Sequence, residues 1–381
     1  MSKLFIVTGE QSGDAHAADL VKALKDKCGP LDCYGVVGSA LRAQGVKEIA
    51  RAEDLSVMGF TDVIKVFPRL VRIYKTVRDS ILTLNPDVVL MVDATSFNLR
   101  LAKSLRKNGF KGKLVQYVSP SVWAWGSHRI QLMADTLDLL LTIYPFEKKC
   151  FAETGLKVEY VGNPVLVKAN KHSYDTEWRE KAGIPKHEDL IALFPGSRQG
   201  EILRNLPVMI KAIEQLPQNT YSIAVSSANA ICGPLIKQCL EKSALKSYIV
   251  PNAVAHQELM AESAAAIAKS GTVTLELALQ QCPTIVAYQL TTLNRLVAKY
   301  VLKVNLPYYC IVNILSDEQV FPEYIVNKPT PENLSHSLWQ LINDSSERKK
   351  CLEGCLKVRQ LLSTDELMNE KCAKLLAEEF K

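Results

Sequence analysis

The sequence lacks the patterns that mark bound metals, disulfide frameworks and common nucleotide-binding motifs. Its ten cysteines include no Cys-x-x-Cys pair, and its six histidines form no His-x-x-x-His or His-Glu-x-x-His pattern. We therefore expect free thiols in a reducing compartment, no bound metal and no other cofactor. Neither Gly-x-Gly-x-x-Gly nor Gly-x-x-x-x-Gly-Lys-Ser/Thr occurs. Their absence argues against nicotinamide dinucleotide chemistry and P-loop chemistry.

Long apolar runs are absent as well. Residues 1–9 are too few for the apolar core of a secretory signal. The run Leu139–Phe146 is broken by Thr142 and Pro145, and it is well short of the roughly 20 apolar residues that span a bilayer. We therefore expect a cytoplasmic protein that does not cross a membrane.

What the sequence does contain is an ordinary globular composition, with 48% apolar and 23% charged residues. Its 381 residues are enough for two domains. The net charge of +6 and the isoelectric point near 8.7 suit anionic partners, such as phosphorylated ligands or an anionic lipid surface. A solvated basic face would explain the same charge.

Short apolar runs rich in β-branched residues alternate with helical patterns in both halves of the chain. Predicted strands lie at 4–8, 88–92, 114–118, 191–194, 221–225, 248–250, 265–268 and 284–287, and predicted helices at 15–27, 99–107, 202–215, 235–242 and 273–280. Continuous apolar strands between helices predict parallel sheets covered on both faces. We therefore predict an α/β fold with two doubly wound, Rossmann-like domains that face a cleft.

The predicted domain boundaries follow changes in composition. Residues 168–190 are polar and predict a linker with a short helix, whereas the chain beyond Pro331 shows Leu and Ala at helical spacings. The predicted domains are 1–170, 171–345 and a C-terminal helical segment, 346–381.

Two turns after predicted strands of the first half carry residues suited to ligand chemistry. Residues 9–14 (Gly-Glu-Gln-Ser-Gly-Asp) open a helix whose N-terminus favours an anion such as phosphate. A helix cap formed by Ser12 or Asp14 is the alternative. Asp93, directly after the strand 88–92, could accept a proton from a substrate hydroxyl or could cap the helix after Phe97.

Two turns of the second half repeat this arrangement. Residues 195–201 (Pro-Gly-Ser-Arg-Gln-Gly-Glu) place Arg198 beside backbone N–H groups that could grip a phosphate. Residues 269–276 (Lys-Ser-Gly-Thr-Val-Thr-Leu-Glu) place Glu276 where a carboxylate could accept both hydroxyls of a ribose. Phosphate donors followed by a ribose acceptor suggest a nucleotide sugar. Ordinary helix capping is the alternative for each turn taken alone.

An unusual loop, residues 119–125 (Ser-Pro-Ser-Val-Trp-Ala-Trp), follows the strand 114–118. Each indole N–H needs a partner if it is buried, so Trp123 and Trp125 are costly core residues. They favour recognition of a wide ligand. A rigid loop that fills a domain seam is the alternative.

Taken together, these blocks resemble the lipid-A-disaccharide synthase family, which consists of inverting glycosyltransferases with the GT-B architecture. The matching blocks are 9–14, 55–59 (Leu-Ser-Val-Met-Gly), Asp93 with Phe97 and Asn98, 117–125, 145–147 (Pro-Phe-Glu), 161–164 (Val-Gly-Asn-Pro), 195–202, 270–276 and Asn313. The resemblance implies transfer of 2,3-diacylglucosamine from UDP-2,3-diacylglucosamine to 2,3-diacylglucosamine 1-phosphate (lipid X). The products would be a β-1,6-linked disaccharide 1-phosphate and UDP, and no nucleic-acid partner is implied.

The resemblance also implies residue roles. Asp93 would be the base for the acceptor 6-hydroxyl, and Arg198 the arginine near the donor diphosphate. Donor UDP binding is predicted for Gly196, Ser197, Arg198, Ser270, Gly271, Thr272, Glu276 and Asn313. Acceptor binding is predicted for Gly9, Glu10, Ser12, Gly13, Trp123, Trp125 and Arg129. The chain departs from the family pattern at Ser96, Gly126 and Val167, where members commonly carry an acid, an arginine and an aspartate.

Both implied substrates are lipids, so the protein would have to reach a bilayer surface. In the segment 66–75, apolar and cationic residues interleave as in an interfacial amphipathic helix. We predict peripheral association with the cytoplasmic surface of the inner membrane through Phe67, Leu70, Val71 and Tyr74. Packing of this helix on the sheet is the alternative. The stretch 296–304 has a similar character. The family also implies a homodimer that can exchange its C-terminal helices, with packing of these helices on the N-terminal domain as the alternative.

Two other functions remain open from the sequence. The blocks 195–201 and 270–276 by themselves suit another GT-B transferase, or an epimerase, that acts on a soluble UDP-N-acetylhexosamine. A non-catalytic protein that binds nucleotide sugars or lipids is the second alternative, although it would not need both Asp93 and Arg198.

Overall fold

A computed structural model of the chain describes residues 2–55, 60–216, 221–291, 306–325 and 328–380, with the side chains of Gln11 and of residues 60–67 left aside. The chain divides into two compact units. Unit 1 comprises residues 1–163 and 364–381, and unit 2 comprises residues 164–363. The sequence suggested boundaries after residues 170 and 345. In the structure, unit 2 begins earlier and extends to residue 363, and the chain then returns to unit 1.

In its described residues, unit 1 contains a seven-stranded parallel sheet with the order β3-β2-β1-β4-β5-β6-β7. The strands are β1 (Lys3–Val7), β2 (Asp32–Val37), β3 (Lys47–Arg51), β4 (Val88–Val92), β5 (Lys113–Tyr117), β6 (Leu139–Thr142) and β7 (Lys157–Tyr160). Every residue of β4 and β6 is buried. Such strands are apolar throughout because helices cover both faces of a parallel sheet.

Within its described ranges, unit 2 contains a six-stranded parallel sheet with the order β10-β9-β8-β11-β12-β13. Its strands are β8 (Leu190–Phe194), β9 (Ser222–Ser227), β10 (Ser247–Pro251), β11 (Ala265–Ala268), β12 (Thr284–Ala287) and β13 (Glu323–Tyr324). The predicted α/β class with two doubly wound, Rossmann-like domains is thereby confirmed.

Most of the described α-helices connect these strands, as the crossover rule for parallel sheets requires. In chain order the α-helices are α1 (Gln11–Cys28), α2 (Ser39–Ala43), α3 (Phe60–Leu84), α4 (Thr95–Lys107), α5 (His128–Thr136), α6 (Pro164–Lys171), α7 (Trp178–Lys181), α8 (Gln199–Glu214), α9 (Cys232–Leu240), α10 (Asn252–Glu262), α11 (Thr272–Leu279), α12 (Ile311–Ser316), α13 (Pro331–Asn343), α14 (Ser345–Leu362) and α15 (Met368–Glu378). Of these, α13–α15 follow the last strand. A 3-10 helix, Pro145–Phe151, lies between β6 and β7.

The C-terminal helix α15 belongs to unit 1, where it packs against α1. The hydroxyl of the buried Tyr117 donates to Met368 Sδ at 3.7 Å. A Cβ built on Gly162 would lie 3.3 Å from the Met368 Cβ. The start of α15 is therefore fitted closely against the end of β5 and the segment that leaves β7.

The prediction that residues 168–190 form a linker is wrong, because this segment is part of the folded body of unit 2. The short helix that was predicted within it is present as α7. Trp178 in α7 is fully buried and packs in a core cluster with Ile184 and Leu190. Its indole Nε1 donates to Glu262 Oε1 at 2.8 Å. One tryptophan with a hydrogen-bonded indole supplies enough buried area to anchor an otherwise polar stretch.

The strand order of each sheet reverses at one pair of neighbours, β1 and β4 in unit 1 and β8 and β11 in unit 2. The crossovers leave in opposite directions at such a point, so a crevice opens at the carboxyl ends of the two strands. The four polar turns identified from the sequence follow these four strands. Each unit therefore presents its two turns side by side.

Candidate active site

A cavity of about 1660 Å³ opens at the carboxyl ends of β1, β4 and β5 in unit 1. Four of the predicted acceptor residues line it, namely Gly9, Glu10, Trp125 and Arg129. The apolar part of its wall consists mainly of Leu55, Leu70, Val71, Tyr74 and Phe97. The cavity therefore combines a polar rim at the strand ends with an apolar wall, which suits an amphipathic ligand.

Asp93 lies directly after β4 in a strained backbone conformation. Asp93 and Ala94 have positive φ angles of 50° and 28°, a region that costs a residue with a Cβ about 1–2 kcal/mol. Two fully buried amides hold this backbone, since Asn98 Nδ2 and Gln116 Nε2 donate to the Asp93 carbonyl oxygen at 2.9 and 3.2 Å. Gln116 Nε2 also lies 3.1 Å from the carbonyl oxygen of Val118, whose φ is 72°. The two amides thus fix the ends of both β4 and β5.

The carboxylate of Asp93 faces the first turn of α1. A Cβ built on Gly13 would lie 2.6 Å from Asp93 Oδ2, so the glycine allows the acid to approach the helix. Burial raises the pKa of Asp93 to about 6, and the negative charge of Glu10 adds to the rise. A carboxyl group with this pKa is deprotonated at neutral pH, yet it remains basic enough to accept a proton.

None of the four helices that follow the candidate turns is capped by the side chain of its own N-cap residue. The N-cap residues are Glu10 for α1, Ala94 for α4, Arg198 for α8 and Gly271 for α11. Asp14 instead accepts N–H bonds from Gly38 and Ala40 at 2.6 and 2.8 Å. Asp14 thus caps the start of α2 and not its own helix, and capping does not account for Ser12 or Asp93. The ends of the four helices can present N–H groups to an anion.

The two tryptophans of the loop 119–125 have different surroundings. Trp125 is 42% exposed and lines the cavity. The Arg129 guanidinium lies over its ring, with Cζ 4.5 Å from the ring centroid. Trp123 is half-buried and meets the Phe146 ring edge-to-face, with centroids 5.5 Å apart. Only Trp125, of this pair, belongs to the cavity wall, and Trp123 anchors the loop.

A buried acid, Glu147, lies beneath this loop and was not assigned a role from the sequence. It is 1% exposed, and its Oε2 accepts the backbone N–H of Tyr144 at 3.1 Å. Burial raises the pKa of Glu147 to about 8, against the opposing effects of backbone N–H groups and the Trp123 indole. The sequence signal for this residue was its place in the block 145–147.

The predicted membrane-contact residues lie on α3, which buries Ile73, Val77 and Ile81 in the core of unit 1. Tyr74 is half-buried against Phe97 and donates its hydroxyl to the Arg100 carbonyl oxygen at 3.1 Å. Val71 is 37% exposed and lines the cavity, as does Leu70. The side chain of Phe67 and the stretch 296–304 fall outside the described part of the chain, within which no helix is both long and apolar enough to span a bilayer.

In unit 2, the turn 195–201 is built around a buried carboxylate. Glu201 is 5% exposed and accepts the Ser197 N–H at 3.2 Å. The side chain of Arg198 is 85% exposed and lies 3.9 Å from Glu201 Oε1. Asn205, also buried, donates to the Pro195 carbonyl oxygen at 3.0 Å. The turn is thus held from inside while Arg198 projects from it.

Gly196 is required in this turn for two reasons. Its φ of 121° is unfavourable for residues with a side chain. A Cβ at this position would also lie 2.4 Å from Glu201 Oε2.

The second turn of unit 2 follows β11 and leads into α11. Ser270 is half-buried and Gly271 and Thr272 are exposed, so this end of the helix is accessible to a ligand. Glu276 lies one turn inside, with His256 Nε2 at 3.2 Å and Lys168 Nζ at 3.5 Å from its two oxygens. Burial raises the pKa of Glu276, but these two partners outweigh it and the net shift is downward. The carboxylate therefore stays charged, as an acceptor of ribose hydroxyls must.

Asn313 is placed differently from the other predicted donor residues. It is fully buried in α12, its Nδ2 donates to the Phe321 carbonyl oxygen at 2.8 Å, and its Oδ1 accepts the Phe321 N–H at 2.9 Å. Its Nδ2 also lies 3.3 Å from Glu323 Oε2, and the two oxygens of Glu323 accept the N–H groups of Tyr309 (Oε1) and Cys310 (Oε2). This amide ties the start of α12 to the segment that enters β13.

Comparison with known proteins agrees with this organisation. A family model described as lipid-A-disaccharide synthetase matches residues 4–377. The lipid-A-disaccharide synthase of Chlamydia trachomatis serovar D is 36% identical over 98% of this chain and 62% of its own length. That of Myxococcus xanthus is 34% identical over 94% of this chain and 92% of its own length. The chain therefore spans less than two thirds of the length of the chlamydial relatives.

Solved structures with the same fold are more distant in sequence. UDP-GlcNAc 2-epimerase from Neisseria meningitidis, bound to UDP-GlcNAc, has a TM-score of 0.60 at 13% identity and covers 99% of this chain and 98% of its own. A glycosyltransferase from Rickettsia africae has a TM-score of 0.58 at 14% identity, with 100% and 99% covered. These likenesses establish the GT-B fold class. Since the family model covers nearly the whole chain and the relatives share about a third of its residues, the chain belongs to the lipid-A-disaccharide synthase family.

Proposed function

We propose that the chain catalyses the inverting transfer of 2,3-diacylglucosamine from UDP-2,3-diacylglucosamine to lipid X. The observation that carries this proposal is the position of Asp93. It lies beside an amphipathic cavity, in a chain whose second unit offers a phosphate-binding turn and a charged ribose acceptor. Relatives across nearly the whole chain carry the name of this activity. Another transferase or epimerase for a soluble UDP-N-acetylhexosamine is not favoured by that family.

The donor is proposed to bind unit 2 through its uridine diphosphate. Glu276, kept charged by His256 and Lys168, would accept the ribose hydroxyls. The N–H groups at the start of α8 and α11, with the exposed Arg198, would hold the diphosphate. Asn313 would act indirectly, because its amide is occupied by the segment 321–323. The fold is shared with an epimerase solved with UDP-GlcNAc, which supports a UDP-sugar donor.

The acceptor is proposed to bind the cavity of unit 1, with its apolar chains along the wall formed by Leu55, Leu70 and Phe97. Asp93 would take the proton of the acceptor 6-hydroxyl as its oxygen attacks the anomeric carbon of the donor. The bond from that carbon to the UDP oxygen breaks, and Arg198 with the helix N–H groups stabilises the charge that develops on UDP. Under this proposal, Asp93 acts on the acceptor and Arg198 on the donor of the same reaction.

The experiment that tests this function measures UDP release by the purified chain from UDP-2,3-diacylglucosamine, with and without lipid X, in detergent and EDTA. Release that depends on lipid X and yields a phosphorylated disaccharide is expected. Activity should persist in EDTA because Arg198 and the helix N–H groups carry positive charge to the leaving group. A folded chain that binds UDP but gives no product with lipid X would overturn the proposal.

Turnover should depend on pH through Asp93, whose pKa burial raises to about 6. Only the deprotonated carboxylate can accept the hydroxyl proton, so kcat/KM should fall about tenfold per pH unit below that pKa and stay level above it. The measurement is kcat/KM between about pH 5 and pH 8. A flat profile, in a protein that still binds UDP throughout, would contradict the assignment.

We propose that the exposed side of α3 brings the chain to the cytoplasmic surface of the inner membrane. Val71 is exposed, Leu70 lies beside it in the cavity wall, and Arg72 and Lys75 are exposed on the same helix. Apolar side chains flanked by cations favour an anionic bilayer surface. This face is therefore suited to collecting lipid substrates.

The double substitution Leu70→Ser with Val71→Ser is expected to reduce binding to vesicles that contain anionic lipid about tenfold, because two partly exposed apolar groups are lost. Vesicle cosedimentation with a thermal melt measures binding and folding together. Val254→Ser is the matched control, since Val254 is 40% exposed on unit 2. Equal partitioning of the double variant and the control would show that α3 does not contact lipid.

A further inference from the structure

One cation of unit 2, Lys269, has no role in the function proposed above, yet it lies between the two candidate turns. It directly follows β11, and its backbone N–H donates to the Phe194 carbonyl oxygen at the end of β8 at 2.8 Å. Its Nζ lies 3.4 Å from Glu201 Oε1 in the first turn. The Nζ is also 3.7 Å from the position of a Cβ on Gly271, in the second turn. A single side chain therefore joins the turns that follow β8 and β11.

The charge balance of this cluster leaves it positive. Glu201 is buried with one negative charge, and Lys269 and Arg198 approach the same oxygen at 3.4 and 3.9 Å. A buried carboxylate needs a partner charge, which one cation is enough to supply. Lys269 is the nearer and less exposed of the two, and it forms an ion pair with Glu201. The charge of Arg198, which is 85% exposed, is therefore not balanced within the cluster.

The ammonium of Lys269 also keeps capacity for a further partner. It carries three N–H donors, and Glu201 can accept only part of them. The Tyr288 ring, whose centroid is 5.0 Å from Nζ, supports the cation by its negative face without accepting a strong hydrogen bond. The side chain is 23% exposed. Lys269 is therefore preorganised, partly shielded from water and open on one side.

We propose that Lys269 is a second cation of the donor diphosphate site, held by Glu201 and Tyr288 between the two turns of unit 2. This inference rests on the proposed function, in which the same turns bind UDP. Arg198 then meets the diphosphate from the exposed side and Lys269 from the inner side. Glu201 acts as a positioning residue for both cations.

The test compares UDP with uridine, which lacks the phosphates, by isothermal titration of the full chain. Lys269→Met is expected to weaken UDP binding about 10- to 100-fold, the range for losing a hydrogen bond between charged groups. Uridine affinity should change less than about twofold. Lys269→Arg should retain most of the UDP affinity, because it keeps the charge. Lys211→Met, which removes an exposed lysine from the last turn of α8, is the matched control.

A second comparison controls for misfolding, because Lys269→Met leaves the buried Glu201 carboxylate without its nearest cation. Glu201→Gln keeps the side-chain size and removes the buried charge, so Lys269→Met is also compared within that background. Lys269→Met with wild-type UDP affinity, or with equal losses for UDP and uridine, would overturn the inference. A wild-type chain that fails to bind UDP would overturn it together with the donor assignment. Tight UDP binding without transfer to lipid X would overturn only the proposed function, because the loss at Lys269 is still measured.

Discussion

Replacing Asp93 by Asn is expected to lower kcat about 100- to 10 000-fold, the range for losing a general base. Asn has nearly the same shape, so the close approach to Gly13 and the backbone bonds from Asn98 and Gln116 should persist. An amide cannot take the proton of the acceptor hydroxyl. The measurement is steady-state turnover with UDP-2,3-diacylglucosamine and lipid X.

Two controls separate this effect from a change in fold. UDP affinity should be unchanged, because the residues proposed to bind UDP lie in unit 2. Asp135→Asn, at an exposed site in α5 of unit 1, should retain wild-type turnover. The residual activity of Asp93→Asn should also lose the decline at low pH that the raised pKa of Asp93 causes. Turnover within about threefold of wild type would refute the base assignment.

Replacing Arg198 by Met is expected to lower kcat/KM about 100- to 1000-fold, comparable to removing one preorganised group that stabilises charge in a transition state. The side chain is 85% exposed and is the N-cap residue of α8 without a capping bond. Its loss should therefore leave the melting temperature nearly unchanged. Steady-state kinetics and UDP titration together measure the effect.

The conservative variant Arg198→Lys makes this prediction more specific. Lysine keeps the charge but lacks the planar fork that grips two phosphate oxygens, so an intermediate activity is expected. Lys211→Met, also on the α8 segment of unit 2, provides a control for the loss of one positive charge. Equal activities for Arg198→Met and Lys211→Met would show that Arg198 does not stabilise the leaving group.

The two predicted cations need not behave alike. Arg198 is exposed and can follow the leaving group as charge develops, so its loss should reduce kcat more than UDP affinity. Lys269 is fixed by Glu201 and Tyr288. Its loss should weaken UDP binding in the ground state as well. The ratio of the effects on kcat and on UDP affinity therefore distinguishes their roles.

Most strands that the sequence revealed are buried on both faces, although the fully buried β6 was not predicted and the largely half-buried edge strand β10 was. β4, β8, β11 and β12 are fully buried, and their apolar runs stand out in the sequence. The edge strand β3 has no fully buried residue and reads as polar. β2 contains Asp32 and Gly35, which obscure its pattern. Edge strands meet solvent and therefore lack the composition that identifies a strand.

The positions of the candidate turns followed from local pattern, whereas their supports did not. Asp93 and Arg198 each follow a recognisable strand, and strand ends of a parallel sheet meet at one edge. Nothing near Gln116 in the sequence indicates that its amide holds the carbonyl groups of Asp93 and Val118. Similarly, Lys269 approaches Glu201 across 68 positions of the chain only because β8 and β11 are neighbours.

The sequence by itself determined the fold class, the family and the positions of the four candidate turns, because buried strands and the residues after them are short, continuous patterns. The tertiary structure alone decided which side chains those turns present. It turned Trp125 toward the cavity and Trp123 inward, and it enclosed Asn313. It also joined the two turns proposed to bind phosphate through Lys269. These outcomes depend on contacts between distant segments, and such contacts exist only once the sheets have formed.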